Sequence, residues 1–240
     1  MIRFQGYERP RPVLRRCRTA AATLCLMAAL GIVGVTYPAN GAGSLPELPT
    51  RQAAVSTYGE AGWQRMQQWP TLVERLRGQP IEVQLAGVNA FFNQLRFVDD
   101  VDVWHVEDYW ATPLEFLGVG AGDCEDFAMA KYLTLIELGV ADETLRLHYV
   151  KYIPFDQFHM VVTWTSSPGA QPLVLDNIVK SIEPASARND LTPIYSFNTS
   201  HLWISKLGDT GRQVGDASRL SLWQDWQRRL EAKTLRDPRD

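Results

Sequence analysis

The stretch Gly122-Asp123-Cys124-Glu125-Asp126-Phe127-Ala128-Met129-Ala130-Lys131-Tyr132 decides how the chain is read, because it opens a helix on a cysteine. Asp123 is a preferred N-cap, and Asp126 three residues on makes a variant of the capping box. Ala128, Tyr132, Leu135 and Ile136 then form an apolar stripe, and Gly139 is a natural terminator. Cys124 therefore falls in the first helical turn. There the unpaired backbone N–H groups and the positive end of the helix dipole favour a thiolate. The same N–H groups could donate to an oxyanion formed beside the sulfur. A buried structural cysteine more often sits mid-helix on the apolar stripe, so the position favours a reactive thiol.

Outward from this helix, the glycines of Gly118-Val119-Gly120-Ala121-Gly122 let another part of the chain approach its start closely. The segment 109–122 is aromatic, and 99–108 is acidic and reads as irregular. Further upstream, Ala61, Met66, Trp69, Leu72, Val73 and Leu76 recur at three- and four-residue spacing and predict a helix over 59–77. Pro80 opens a second helix, with Val83, Leu85, Val88, Phe91, Phe92 and Leu95 on its apolar side. Downstream the period changes to two. Leu145, Leu147 and Tyr149 alternate with Arg146 and His148, and 159–165 and 172–177 read as two more strands. The segment 181–198 reads mostly as loop and 216–234 as a terminal helix. Helices first and strands later define an α+β class, with helices packed on an antiparallel sheet and the nucleophile at a helix N-terminus.

A thiol nucleophile needs a base, and the candidates are His105, His148, His159 and His201. If the strands around Ser166-Ser167-Pro168-Gly169 form a hairpin with a four-residue loop, Thr165 faces Ala170 and His159 faces Asp176. Opposed side chains on one face are close enough for an imidazole–carboxylate hydrogen bond. A slip of one residue would substitute Asn177 as the partner. His159 is thus the expected base and Asp176 the group that orients it. The other three histidines read as structural. Asn93 and Trp110 are candidates for a second oxyanion donor beside the Cys124 N–H.

The start of the chain reads as a leader rather than as fold. Six arginines precede an uncharged apolar run over 19–35, and Ala39 and Gly41 sit where a signal peptidase reads small residues. Residues 1–41 are therefore expected to be a signal peptide, 42–57 a linker or extended arm, and 58–240 one domain. The leader holds six Arg and one acid, so its removal takes the formal net charge from −3 to −8. That balance argues against nucleic acid as a partner. Cys17 and Cys25 would leave with the leader, and Cys124 would remain as a lone thiol without a disulfide.

Asp123, Glu125 and Asp126 surround the sulfur with carboxylates, which by themselves disfavour a thiolate. Acids favour helix N-termini, which would account for them simply. Oxygen ligands clustered at a turn also suit Ca²⁺, whose charge would cancel the acids' effect on the sulfur. Neither EF-hand spacing nor a Cys/His zinc cluster is present.

The blocks Asp108-Tyr-Trp-Ala-Thr-Pro-Leu-Glu-Phe-Leu117, Gly122 to Tyr132, His159-Met-Val-Val162 and Leu175-Asp-Asn177 resemble the bacterial transglutaminase-like cysteine proteinases, most closely their LapG type. The resemblance runs from about Gly59 to Asn198. It implies a papain-like core with a Cys-His-Asp triad at Cys124, His159 and Asp176. It implies calcium dependence, with Asp123, Glu125 and Asp126 at the acidic motif. It further implies a periplasmic enzyme that cleaves the N-terminal region of a large surface adhesin and so disperses biofilm. An inner-membrane receptor for cyclic di-GMP is the implied sequestering partner. A transglutaminase, a cell-wall peptidase or amidase, and a non-catalytic interaction module are the other readings of the same residues.

Overall fold

Thr50 begins the first helix: its hydroxyl accepts from the Ala53 N–H at 3.3 Å and caps α1, Arg51–Leu76. The computed structural model describes residues 45–204 and 212–239, so the expected leader lies outside the described residues. Residues 51–57, expected as part of a linker, are helical instead. Gly59, at φ 72°, breaks α1 into two pieces, which is why the apolar periodicity starts only there. The long piece buries Met66, Trp69, Leu72, Val73 and Leu76. Trp69 Nε1 donates to Thr134 Oγ1 at 2.8 Å in the core, tying this helix to the one that carries Cys124.

Helix α2 (Ile81–Phe92) follows, then β1 (Arg96–Phe97), a short α3 (Asp100–Val103) within the segment expected to be irregular, and α4 (Pro113–Val119). A full capping box between Thr112 and Glu115 starts α4, Pro113 pre-sets its first turn, and Gly120 ends it in the left-handed conformation at φ 74°. The two-residue β2 (Ala121–Gly122) pairs parallel with β1 and delivers the chain to α5, Cys124–Glu137.

The rest is an antiparallel sheet. Strands β3 (Leu145–Tyr152), β4 (Gln157–Trp164), β5 (Leu173–Leu175), β6 (Glu183–Pro184), β7 (Leu191–Phe197), β8 (His201–Ile204) and β9 (Arg212–Asp216) stand in the order β6-β5-β4-β3-β7-β8-β9. Helix α5 packs across β4 and β3, and the terminal helix α6 (Ser221–Ala232) adds Trp223 and Trp226 to the same core. The α+β class holds, with helices against an antiparallel sheet.

Three expectations change in detail. The β4–β5 ladder pairs Trp164 with Leu173 and Val162 with Leu175, two residues away from the expected register, because the turn is longer than four residues. A shift of two preserves facing, so His159 and Asp176 still point to one side. The segment 181–198 contains β6 and β7 instead of loop alone. Pro193 conceals β7 in the sequence, and the ladder with β3 accommodates it at a register shift between Tyr149 and Val150. The terminal helix begins at Ser221, not 216, since 212–216 is the edge strand β9.

Helix α1 meets α4 where neither has a side chain to spare. A Cβ on Gly62 would lie 2.6 Å from the Gly118 carbonyl oxygen, so Gly62→Ala forces the helices apart. The expected loss is about 1–3 kcal/mol, read as a Tm lower by several degrees in thermal denaturation. An unchanged Tm would show that this contact is not close-packed.

Candidate active site

Asp123 occupies the N-cap of α5 in extended conformation, but its side chain makes no capping hydrogen bond, contrary to the capping box expected from its spacing to Asp126. Its carboxylate turns instead into a group of acids. Cys124 is the first helical residue and is buried at 4% exposure. Its Sγ donates to Glu125 Oε2 at 3.0 Å.

On β4, the strand against which α5 packs, His159 is buried and its Nε2 donates to Asp176 Oδ1 at 2.8 Å. Asp176 stands one residue beyond β5. Its Oδ1 also accepts from the Ile178 N–H at 2.9 Å, and its Oδ2 accepts from Arg188 Nη2 at 2.7 Å. Burial raises the Asp176 carboxyl, but His159, the Ile178 N–H and Arg188 outweigh it and hold the group well below the usual carboxylate range. Asp190 braces Arg188 in turn, with Arg188 Nη2 to Asp190 Oδ2 at 2.8 Å. Asn177, the alternative partner, does not take the imidazole, and its side-chain oxygen has no hydrogen-bond partner. Lys131, two turns along α5 from Cys124, is also buried. Burial brings its ammonium down to about 7, against the upward pull of Asp176.

The acids around Cys124 extend beyond the motif. Asp100, Asp123 and Asp126 each offer an oxygen within 4.8 Å of the others, and so do Asp100, Asp108 and Glu125. Asp100 Oδ1, Asp108 Oδ1 and Asp126 Oδ2 are buried without hydrogen-bond partners. Burial, and then the charge of Glu125, pushes the Asp100 carboxyl up to about 8 and that of Asp108 to about 6. Burial with Asp100 and Glu125 raises Asp126 well above its ordinary value. Gly122 is required here, since a Cβ would collide with Asp126 Oδ2. Buried, mutually repelling carboxylates with unused oxygens are a donor set for a hard divalent cation, and the residues fit calcium.

The other histidines stand apart from this chemistry. His148 is buried beside Thr163 Oγ1 at 3.0 Å, and burial, with Arg146, takes it down to about 3. His105 and His201 are exposed. Both candidate second oxyanion donors are engaged elsewhere. Asn93 Nδ2 donates to the Asp176 carbonyl at 2.8 Å, and the Trp110 side chain hydrogen-bonds Asp108. Arg188, Asp100 and Asp108 were not legible as site residues. Arg188 lies in a connection with no periodicity, and the two aspartates lie upstream in an acidic stretch that resembles solvated loop.

A helix that opens on cysteine, an antiparallel sheet with a buried His–Asp pair and an acidic turn beside the sulfur define a papain-like, transglutaminase-like cysteine hydrolase. The family of bacterial transglutaminase-like cysteine proteinases (BTLCP) matches residues 65–204, and the chain belongs to it. Among solved structures it is similar to Legionella pneumophila LapG at 38% identity and TM-score 0.65, over 75% of this chain and 94% of that one. The EGTA-treated form of the Legionella protein matches at 38% identity and TM-score 0.66, again over 75% and 94% of the two chains. Its calcium-bound form matches at 37% and 0.64, over 75% and 96%. No curated protein matches.

The raised carboxyls predict an unusual pH dependence. A carboxyl whose folded pKa is raised stabilises the fold below its unfolded value, and that contribution is lost as pH rises through the folded value. With Asp100 at about 8 and Asp108 at about 6, metal-free protein should lose stability between pH 5 and pH 8. The loss should be several kcal/mol, on the order of 5, measured by urea denaturation in chelator. Stability rising over that interval would mean that the cluster ionises without penalty.

Proposed function

We propose that the protein is a calcium-dependent cysteine endopeptidase of the periplasm that cuts the N-terminal region of a large surface adhesin. The observation that carries the reading is the buried chain His159–Asp176–Arg188, set on the strand against which the Cys124 helix packs. Asp176 holds the proton on Nε2, leaving the Nδ1 lone pair of His159 to accept a proton from Cys124. The thiolate adds to the scissile carbonyl carbon, and the backbone N–H of Cys124 meets the resulting oxyanion. Collapse breaks the C–N bond, and His159 returns its proton to the leaving amine. Water then attacks the thioester and gives a proton to His159. The sulfur departs and recovers that proton, completing acyl transfer to water.

Asp123, Glu125 and Asp126, with Asp100 and Asp108, would hold the calcium ion. Its charge would offset the acids beside the sulfur and order the entry to α5. Glu125 accepts the Cys124 S–H in this structure, a contact that keeps the proton on sulfur. The leader pattern and the lone remaining cysteine support periplasmic export. The resemblance supports adhesin release with biofilm dispersal, and sequestration by an inner-membrane receptor that senses cyclic di-GMP.

The test is incubation of the chain from Ala42 onward with an adhesin N-terminal fragment, followed by intact-mass analysis. Cys124→Ala and His159→Ala should abolish cleavage, and Asp176→Ala should slow it on the order of 10²–10⁴-fold. Turnover by His159→Ala would remove His159 as the base. A calcium-specific chelator should suppress cleavage, calcium should restore it, and magnesium should restore it poorly because it demands tighter octahedral geometry. Full cleavage by metal-free protein in excess chelator would reduce the acids to a helix cap.

A further inference from the structure

The segment from Asp108 to Thr112 is gripped from two sides. Toward the acidic cluster, the Tyr109 N–H donates to Asp100 Oδ2 at 2.6 Å and the Ala111 N–H to Asp126 Oδ1 at 2.7 Å. Toward α6, Arg229 Nη2 donates to the Trp110 carbonyl at 2.6 Å and Trp226 Nε1 to the Ala111 carbonyl at 3.0 Å. The Trp110 carbonyl and the Ala111 N–H belong to one planar amide. Arg229 therefore holds the oxygen end of the same peptide plane whose hydrogen end holds Asp126. Its cationic fork also polarises that amide and strengthens the N–H as a donor.

Arg229 is itself fixed. Its Nη1 donates to Glu115 Oε2 and to the Tyr109 hydroxyl, both at 2.9 Å, and its guanidinium lies 4.3 Å from the Tyr109 ring centre. The next peptide plane is held the same way. The Trp226 indole takes the Ala111 carbonyl, while the Thr112 N–H donates to Glu115 Oε2 at 2.7 Å. Arg229 and Trp226 both lie outside the matched segment 65–204.

We propose that Arg229 is a positioning residue for the cation site, acting on Asp126 through the Trp110–Ala111 peptide plane, with Trp226 fixing the adjacent plane. The inference rests on the calcium reading above. Partners that orient metal ligands typically set affinity by tenfold or more when lost. Lysine keeps the charge of Arg229 but cannot span the Trp110 carbonyl, the Tyr109 hydroxyl and Glu115 together.

Calorimetric calcium titration of the wild-type chain, Arg229→Lys, Trp226→Phe and Trp223→Phe tests this, with thermal denaturation of each. Trp223 is a buried neighbour of Trp226 on the same helix, with ring centres 5.2 Å apart, and serves as the packing control. Arg229→Lys should weaken calcium binding about tenfold, and Trp226→Phe should weaken it in the same direction even if Arg229→Lys fails to fold. Trp223→Phe should lose stability while keeping wild-type affinity. Wild-type affinity in folded Arg229→Lys or in Trp226→Phe would overturn the positioning role. Affinity losses in all variants that merely follow their losses of Tm would overturn it as well. A wild-type chain that binds no calcium would defeat the calcium reading itself, and this inference with it.

Discussion

Asp100, Asp108, Asp123, Glu125 and Asp126 crowd their carboxyl oxygens into one largely buried space beside the sulfur of Cys124. Two unit charges about 5 Å apart repel by roughly 3 kcal/mol at an effective dielectric near 20. The helix end that favours a thiolate contributes only about 1 kcal/mol. Left to themselves, the acids therefore dominate the electrostatics of the nucleophile, and they do so in the direction opposed to catalysis. Two outcomes are open to such a cluster: its members are pushed toward the protonated form, the direction in which the Asp100, Asp108 and Asp126 carboxyls are shifted, or a cation occupies the space between them.

Much of the surrounding architecture serves to keep those acids in place. The N–H groups of Tyr109 and Ala111 point at Asp100 and Asp126, Gly122 gives up a side chain so that Asp126 can approach, and the capping box of Thr112 and Glu115 anchors the same segment from behind. The basic half of the site is treated differently. Asp176 is stabilised as an anion by His159, the Ile178 N–H and Arg188, so it is ready to orient an imidazole over a broad pH range. One side of the site is thus preorganised as it stands. The other gathers carboxylates, and the proposed calcium ion would supply the counter-charge they lack.

The sequence carried the parts of this arrangement that follow local rules. A cysteine after glycines, an acidic first turn and a helical stripe placed Cys124 at the start of α5. Strand periodicity put His159 and Asp176 on one side, and survived a register error because that error was even. Features that depend on distant partners had no local signature. Arg188 reaches Asp176 from an irregular connection, Asp100 joins the acids from a short helix upstream, and Arg229 arrives from the far end of the chain. Strand β7 was obscured by Pro193, β8 by being only four residues long, and β9 by polar residues. Helical residues 51–57 lacked the apolar stripe that reveals the rest of α1, since only Ala54 among them is buried.

The central claim is that the charge of the acidic cluster governs whether Cys124 ionises, and the pH dependence of its alkylation reads this directly. Iodoacetamide labelling, followed by mass spectrometry across pH 5 to 10, is compared in chelator and in excess calcium. Calcium should move the midpoint of labelling down by about one pH unit or more, and Glu125→Gln should move it down part of the way without calcium. Coincident curves with and without calcium, for a chain shown by calorimetry to bind the ion, would contradict the account.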